Sequence, residues 1–237
     1  MAIFQWLKHG SGKTVEDFAE RVGLSVAELE AVSPHYETFQ IPKRSGGHRT
    51  IQAPDAALKK IQRTLYHRLF KKLPVHPCVT GFRPGYSIAS NASVHVGKAV
   101  VVRMDIQEFF PSTHARRLKR YFRKIGWNRS VADLLIRLCT LDGGLPQGAP
   151  TSPQLANLVN YRIDTRLSAL TAACGGVYTR YADDLTFSFA KDQPGQYRAV
   201  IHTTEAILEE YGYVLHKKKK LQIRRAHQRQ EVTGLVV

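Results

Sequence analysis

Cysteine is nearly absent: Cys78, Cys139 and Cys174 are the only three in 237 residues, widely spaced and without a C-x-x-C pair. That excludes a disulfide framework and gives no sign of a structural zinc site. No apolar run approaches the ~20 residues that span a bilayer. The first residues, Met1-Ala2-Ile3-Phe4-Gln5-Trp6, lack the charged n-region and long apolar h-region of a signal peptide. The chain is therefore expected in the cytoplasm, with no membrane partner. Acidic residues are also scarce, 19 against 35 Lys plus Arg, for a net charge of +16. A neutral metabolite does not call for such a surplus, whereas a polyanion does. With 43% apolar and 23% charged residues the composition is that of a globular protein, not a disordered tail.

The shortage of acids is uneven. Residues 1–37 are acidic, with Glu16, Asp17, Glu20, Glu28, Glu30 and Glu37 against Lys8, Lys13 and Arg21, so the rest of the chain carries +19. From Ala56 to Met104 there is no acid at all, while Lys59, Lys60, Arg63, Arg68, Lys71, Lys72, Arg83, Lys98 and Arg103 fall inside. Arg116 to Arg129 and Lys217 to Arg229 are two further acid-free basic blocks. One such block could be a solvated helix face; three without compensating acids read as surfaces for phosphates.

Hydrophobic spacing predicts a helical hairpin over 14–32, broken at Gly23-Leu24-Ser25, with Ser25 as N-cap and Glu28 three residues on. Gln40 to Ile51 reads as strand, glycine turn, strand, with Lys43 and Arg49 flanking the tip. Asp55 to Leu73 is an amphipathic helix with Leu58, Ile61, Leu65 and Leu69 on one face and bases on the other. Ala99 to Met104 is a β-branched run typical of a buried strand, and it ends on Asp105. Helices are expected at about 113–125, 130–140 and 152–170. Two strand-like runs, Gly176 to Tyr181 and Leu185 to Phe189, meet at Ala182-Asp183-Asp184 as a hairpin with acids at its turn. A helix near 195–211 and short strands near 213–216, 221–225 and 231–237 follow. The order of elements is that of an α+β protein.

Asp105 is the first acid after the long basic stretch, at the end of an apolar strand. Asp183 and Asp184 are adjacent like charges that raise each other's pKa unless a cation compensates. Three carboxylates on a polyanion-binding protein suggest divalent metal, because magnesium takes hard oxygen ligands and commonly binds through one or two carboxylates plus phosphates. Two such ions about 3.5–4 Å apart can activate an attacking hydroxyl and stabilise a leaving oxygen. On spacing alone Asp105 could equally be the ion-pair partner of Arg103 or Arg180, and Asp183-Asp184 an ordinary turn dipeptide.

Asp105 at a strand end, LPQGAPTSP at 145–153 and YADD at 181–184, in that order, resemble the palm of reverse transcriptases, in which YxDD marks the catalytic hairpin. The resemblance covers nearly the whole chain from Gln40 onward. Asn91-Ala92-Ser93-Val94-His95 matches the NAxxH element, and Val232-Thr233-Gly234 the VTG element, of bacterial retron reverse transcriptases. The resemblance implies a right-hand polymerase with fingers and a ferredoxin-like palm sheet: an N-terminal hairpin over 1–37, fingers over 38–98, and palm over 99–237 with finger residues interleaved at about 113–150. Relatives continue past VTG into a helical thumb, so the thumb is expected to be largely missing, whether by truncation, by supply from another chain, or in a reduced form.

By the same resemblance, Asp105 and Asp183 ligate two Mg2+ ions, Asp184 supports the site, and the Ile106 carbonyl joins the ion that travels with the nucleotide. Lys43 and Arg49 look like the bases that grip the β- and γ-phosphates. Phe110 is expected under the sugar, selecting against a 2′-hydroxyl, while Phe109 faces the core. Gln147 and Gly148 are expected against nucleotide and templating base. Lys218 or Lys219, within Lys217–Lys220, is expected to protonate departing pyrophosphate, although His216 stands where Asn is common. Asn91, His95 and Thr233 are expected to support or contact RNA, with a satisfied buried histidine or a packed strand edge as the plain alternatives. The implied partners are a cognate structured noncoding RNA, an RNA–DNA hybrid, deoxyribonucleotides and an effector protein. The implied function is synthesis of branched, RNA-linked single-stranded DNA from an RNA 2′-hydroxyl, in antiphage defence. A weakly active RNA-binding scaffold and an intron-type bacterial reverse transcriptase are the alternatives.

Overall fold

The computed structural model describes residues 14–42, 46–216 and 221–237. Two compact units divide the chain: Met1–Pro74 with Phe110–Val159, and Val75–Phe109 with Asn160–Val237. Residues 75–98 belong to the second unit, together with the strands that follow them.

The first unit opens with helices α1 (Val15–Val22) and α2 (Val26–Ala31), each begun by a capping box, Thr14 with Asp17 and Ser25 with Glu28. Strands β1 (Tyr36–Pro42) and β2 (His48–Pro54) pair antiparallel. Helix α3 (Ala56–Arg68) starts on the N-cap Asp55, whose side chain accepts from the Leu58 amide, and gives way to a 3-10 turn at Phe70–Lys72. Leu58, Ile61 and Leu65 line its buried side. Gln62 on that side is also buried, and its amide donates to the Leu138 carbonyl at 2.8 Å and the Tyr36 hydroxyl at 2.9 Å. Helices α5 (Ala115–Lys124), α6 (Arg129–Cys139) and α7 (Ser152–Val159) complete the unit.

The second unit holds α4 (Ile88–Ser93), β3 (Val100–Asp105), α8 (Tyr161–Ala173), β4 (Gly176–Tyr181), β5 (Asp184–Phe189), α9 (Pro194–Glu210), β6 (Gln222–Arg225), β7 (Glu231–Val232) and β8 (Leu235–Val236). Its main sheet has the order β4-β5-β3-β6 with every neighbour antiparallel, which is the ferredoxin-like arrangement expected. The segment expected as a strand at 213–216 is only a bridge, Leu215 to Ile106. The single helix expected over 152–170 is broken at Asn160, whose buried amide exchanges hydrogen bonds of 3.0 and 3.1 Å with the Tyr213 hydroxyl. A uniform apolar pattern across the break concealed it.

Pleating sorts the sheet into two faces. Val100, Val102, Met104, Tyr178, Leu185, Phe187 and Phe189 are buried, on the side that α8 covers. The alternate residues, Val101, Arg103 and Asp105 on β3 and Asp184, Thr186 and Ser188 on β5, turn to the other side. This opposite face is therefore polar at the end where β3 finishes. Among the described residues no helix is long and apolar enough to cross a membrane.

Candidate active site

The turn between β4 and β5 brings the three aspartates to one end of the sheet. Asp105 is the register partner of Asp184, and the Ile106 amide donates to the Asp183 carbonyl at 3.0 Å. On its other side the Asp105 carbonyl accepts from the His216 amide at 2.9 Å, and the His216 imidazole stands 3.6 Å from the Asp105 carboxylate. None of these hydrogen bonds uses the Ile106 carbonyl. Asp105, Asp183 and Asp184 are all half-buried, at the rim of the core.

Asp184 receives both Nε and Nη2 of Arg103, two residues back along the facing strand. Arg103 had been one candidate partner for Asp105; two-residue periodicity places it on the same face, and the register aims it across the ladder at Asp184. The other candidate, Arg180, points to the opposite face. It is fully buried there and binds Asp164 of α8 through Nε at 2.8 Å and Nη2 at 2.7 Å. Its Nη1 donates to the Ala182 carbonyl at 3.1 Å. The Tyr178 hydroxyl donates to the same Asp164 carboxylate at 3.1 Å.

Ala182 needs that anchor. Its φ is +57°, a left-handed conformation that a non-glycine residue adopts at a cost of about 1–2 kcal/mol. Gly81 backs the turn from behind: a Cβ on it would lie 2.5 Å from the Ala182 nitrogen. Thr80 and Gly81 amides donate to the Arg180 carbonyl at 3.0 and 3.4 Å. The strained turn is thus gripped by one buried guanidinium and one close backbone approach. Asp164 and Gly81 carried no signal in the sequence as partners of YADD, because the sheet order alone brings them there.

Asn91 and His95 are buried to 0% exposure. The Thr80 hydroxyl donates to the Asn91 amide oxygen at 2.7 Å, and the Asn91 amide nitrogen reaches the Thr233 hydroxyl at 3.5 Å. His95 Nδ1 lies 2.7 Å from Ser188 Oγ and Nε2 lies 2.8 Å from Thr179 Oγ1, on the polar face of the sheet. Both side chains are thus engaged in supporting the sheet, the structural part of their expected role. Thr233 is half-buried, donates to the Ile88 carbonyl at 3.2 Å, and with Gly234 forms a two-residue turn at positive φ between β7 and β8.

Burial, with a smaller push from Lys98, lowers the His95 pKa from 6.5 to about 4. Between those values the unfolded chain holds a proton that the native chain refuses, so stability is complete above pH 6.5 and falls as pH drops toward 4. The loss is about 3 kcal/mol at 1.36 kcal/mol per unit. Urea unfolding across that window should show the decline for the wild type and a shallower one for His95→Gln. Equal steepness would assign the acid sensitivity to another group.

In the first unit, Arg49 is exposed on β2, opposite Ile41. Lys43 and Lys218 lie outside the described residues. Phe110 is half-buried, and its carbonyl accepts from the Leu145 amide at 3.2 Å. In the second unit Phe109 is buried and stacks on Tyr213 at 5.9 Å, facing the core as expected. The Gln147 carbonyl accepts from the Gln52 amide at 2.8 Å. Gly148, at φ +137°, has no room for a side chain: a Cβ would stand 2.8 Å from the Gln52 carbonyl oxygen. The close approach seen at this glycine is therefore to β2.

A sequence profile for the family described as "Reverse transcriptase (RNA-dependent DNA polymerase)" matches residues 41–235. The chain belongs to the reverse transcriptases. Among retron members, the retron Mx162 reverse transcriptase of Myxococcus xanthus is 38% identical over 94% of this chain and 53% of its own length. The retron Ec83 reverse transcriptase of Escherichia coli is 30% identical over 86% of this chain and 68% of its own. The chain thus spans about half the length of the first of these. A solved structure of telomerase from Candida albicans shares the fold, with a TM-score of 0.57 and 12% identity over 86% of this chain and 45% of the other. In this reverse-transcriptase domain, Asp105, Asp183, Asp184 and the Ile106 carbonyl are all hard oxygen donors, the set that magnesium prefers. Among the described residues no three His, Cys, Asp or Glu side chains are grouped so as to hold a metal ion by themselves. A magnesium site does not require one, because waters and substrate phosphates complete its shell.

Proposed function

We propose that the chain is the fingers and palm of a retron-type RNA-directed DNA polymerase that copies a structured noncoding RNA into DNA. The observation that carries the reading is the ladder register that sets Asp105 opposite Asp184, with Asp183 hydrogen-bonded through its carbonyl to Ile106, in a chain of this family. Asp105 and Asp183 would hold two divalent ions, with the Ile106 carbonyl as a further ligand. Magnesium bound there would supply charge neutralisation for an in-line phosphoryl transfer. Asp184, already occupied by Arg103, would orient the pair rather than complete the shell.

The primer hydroxyl would attack the α-phosphorus, forming one P–O bond while the bond to pyrophosphate breaks. Arg49 and Lys43 would hold the outer phosphates, and Lys218 would return a proton to the pyrophosphate. Phe110 would exclude the 2′-hydroxyl of a ribonucleotide, and Gln147 with Gly148 would line the nucleotide's approach. Priming from a 2′-hydroxyl of the noncoding RNA, a branched RNA–DNA product, and service with an effector in antiphage defence are parts of the same proposal, supported by the retron relatives. Thr233 remains the proposed RNA contact of the VTG element.

Primer extension on an RNA template tests the reading. The wild type should add deoxyribonucleotides and stop when EDTA removes the metal, and Phe110→Ala should gain ribonucleotide incorporation. Absence of extension by the wild type, in the presence of magnesium, cognate RNA and primer, would sink it.

A further inference from the structure

The first unit carries an open groove of about 580 Å³ between the α1–α2 turn and α3. One wall is cationic. Lys59, Arg63 and His67 recur every fourth residue along α3, and Lys60 and Arg68 flank them on the next ridge. Successive members of such a row are separated by about 6 Å along the helix axis, four residues at 1.5 Å each. A polymer with one charge per about 3.4 Å of strand presents a phosphate to each of them. The other wall, Val22 to Leu24, carries no charge.

No ion pair ties up the cationic wall. Among the described residues none of the four Lys and Arg side chains is in an ion pair, and α3 contains no acid. Glu28 feels the field of Lys60, but its carboxylate is engaged in the capping box of α2, accepting from the Ser25 amide at 2.7 Å and hydroxyl at 2.8 Å. The wall is also held in place. Gln62, buried on the far side of α3, ties the helix to the Leu138 carbonyl, so the bases are displayed on a fixed helix. Repeated cations with no apolar anchor among them suit a repeating anion; a protein partner would want a large side chain in a pocket.

We propose that this groove is an anchoring site for RNA, gripping consecutive phosphates of the sugar–phosphate backbone without reading its sequence. The choice of RNA rests on the polymerase reading; the polyanion itself rests on the groove. None of its residues is among those proposed for metal or nucleotide. The site would therefore set how tightly RNA is held, while catalysis on RNA already bound proceeds without it.

The test is a triple variant, Lys59→Gln, Lys60→Gln and Arg63→Gln, which keeps helix propensity while removing three charges. Binding of a fluorescein-labelled RNA hairpin with single-stranded flanks is measured by anisotropy across a salt series. With about 0.7 of a slope unit per single-strand phosphate contact, the salt dependence of log Kd should fall by roughly 2, and affinity at physiological salt by about tenfold or more. A matched control, Arg162→Gln, Lys191→Gln and Arg198→Gln, removes three exposed charges from the other unit. An equal loss in the control, or an unchanged slope in the α3 variant, overturns the site. Wild-type primer extension is run in parallel. Loss of RNA binding in the α3 variant alone supports the groove even if the wild type fails to extend, and extension with unchanged binding overturns the groove while leaving the polymerase standing.

Discussion

Asp183→Asn should leave the protein folded and reduce primer extension by more than about 10³-fold. One preorganised electrostatic contact is commonly worth about 10²–10³ in turnover, and Asp183 is assigned to both ions. The fold should survive, because the carbonyl that Ile106 uses is main chain and Asn keeps the side chain's shape. Asp184→Asn should lose less, since that carboxylate is engaged with Arg103 rather than directed wholly at metal. Extension rates over a magnesium titration, with unfolding midpoints beside them, check both. A rate for Asp183→Asn close to wild type, or a larger loss at Asp184, would remove Asp183 from the metal site.

The second large effect lies beneath the turn. Asp164→Asn should destabilise the protein by about 3–5 kcal/mol, the usual consequence of leaving one member of a buried ion pair without its partner. Arg180 and Asp164 are 1% and 0% exposed, so water cannot replace the missing charge. Restoring apolarity separates stability from function. Replacing both members, Asp164→Leu with Arg180→Met, should recover most of the lost stability, as buried pairs often tolerate hydrophobic exchange. It should not recover extension, because Ala182 would still lack the guanidinium that holds its carbonyl. Urea titrations of the single and double variants, followed by extension assays on the double variant, decide the point. Full activity in a stable double variant would reduce the ion pair to packing alone.

Much of the site was legible because its signals are local. YADD lies between two runs of β-branched and aromatic residues, so a hairpin with acids at its turn follows from periodicity. Ser25 and Glu28 mark a helix start by spacing alone, and both engage as expected. Partners were not legible, since they depend on strand order. Arg103 meets Asp184 only because β3 and β5 pair in one register, and Arg180 meets Asp164 only because α8 covers the other face. Gly148 is expected beside a nucleotide on family grounds; in the structure it also lies against the β2 backbone, a contact that no local pattern announces. Membership of a compact unit is likewise decided by what a segment packs on, and 75–98 groups with strands made later.

That last dependence has a temporal side. Strand β3, which ends on Asp105, has β5 on one edge and β6 on the other. During synthesis it leaves the ribosome with neither. At about 5–20 residues per second, several seconds pass before residues 184–189 exist, and longer before 222–225 do. Throughout that interval an apolar strand with two open edges must be kept from other chains. The basic residues that crowd the segment before it, uncompensated by any acid between 56 and 104, give such nascent chains a like charge, which opposes edge-to-edge association until the sheet can close.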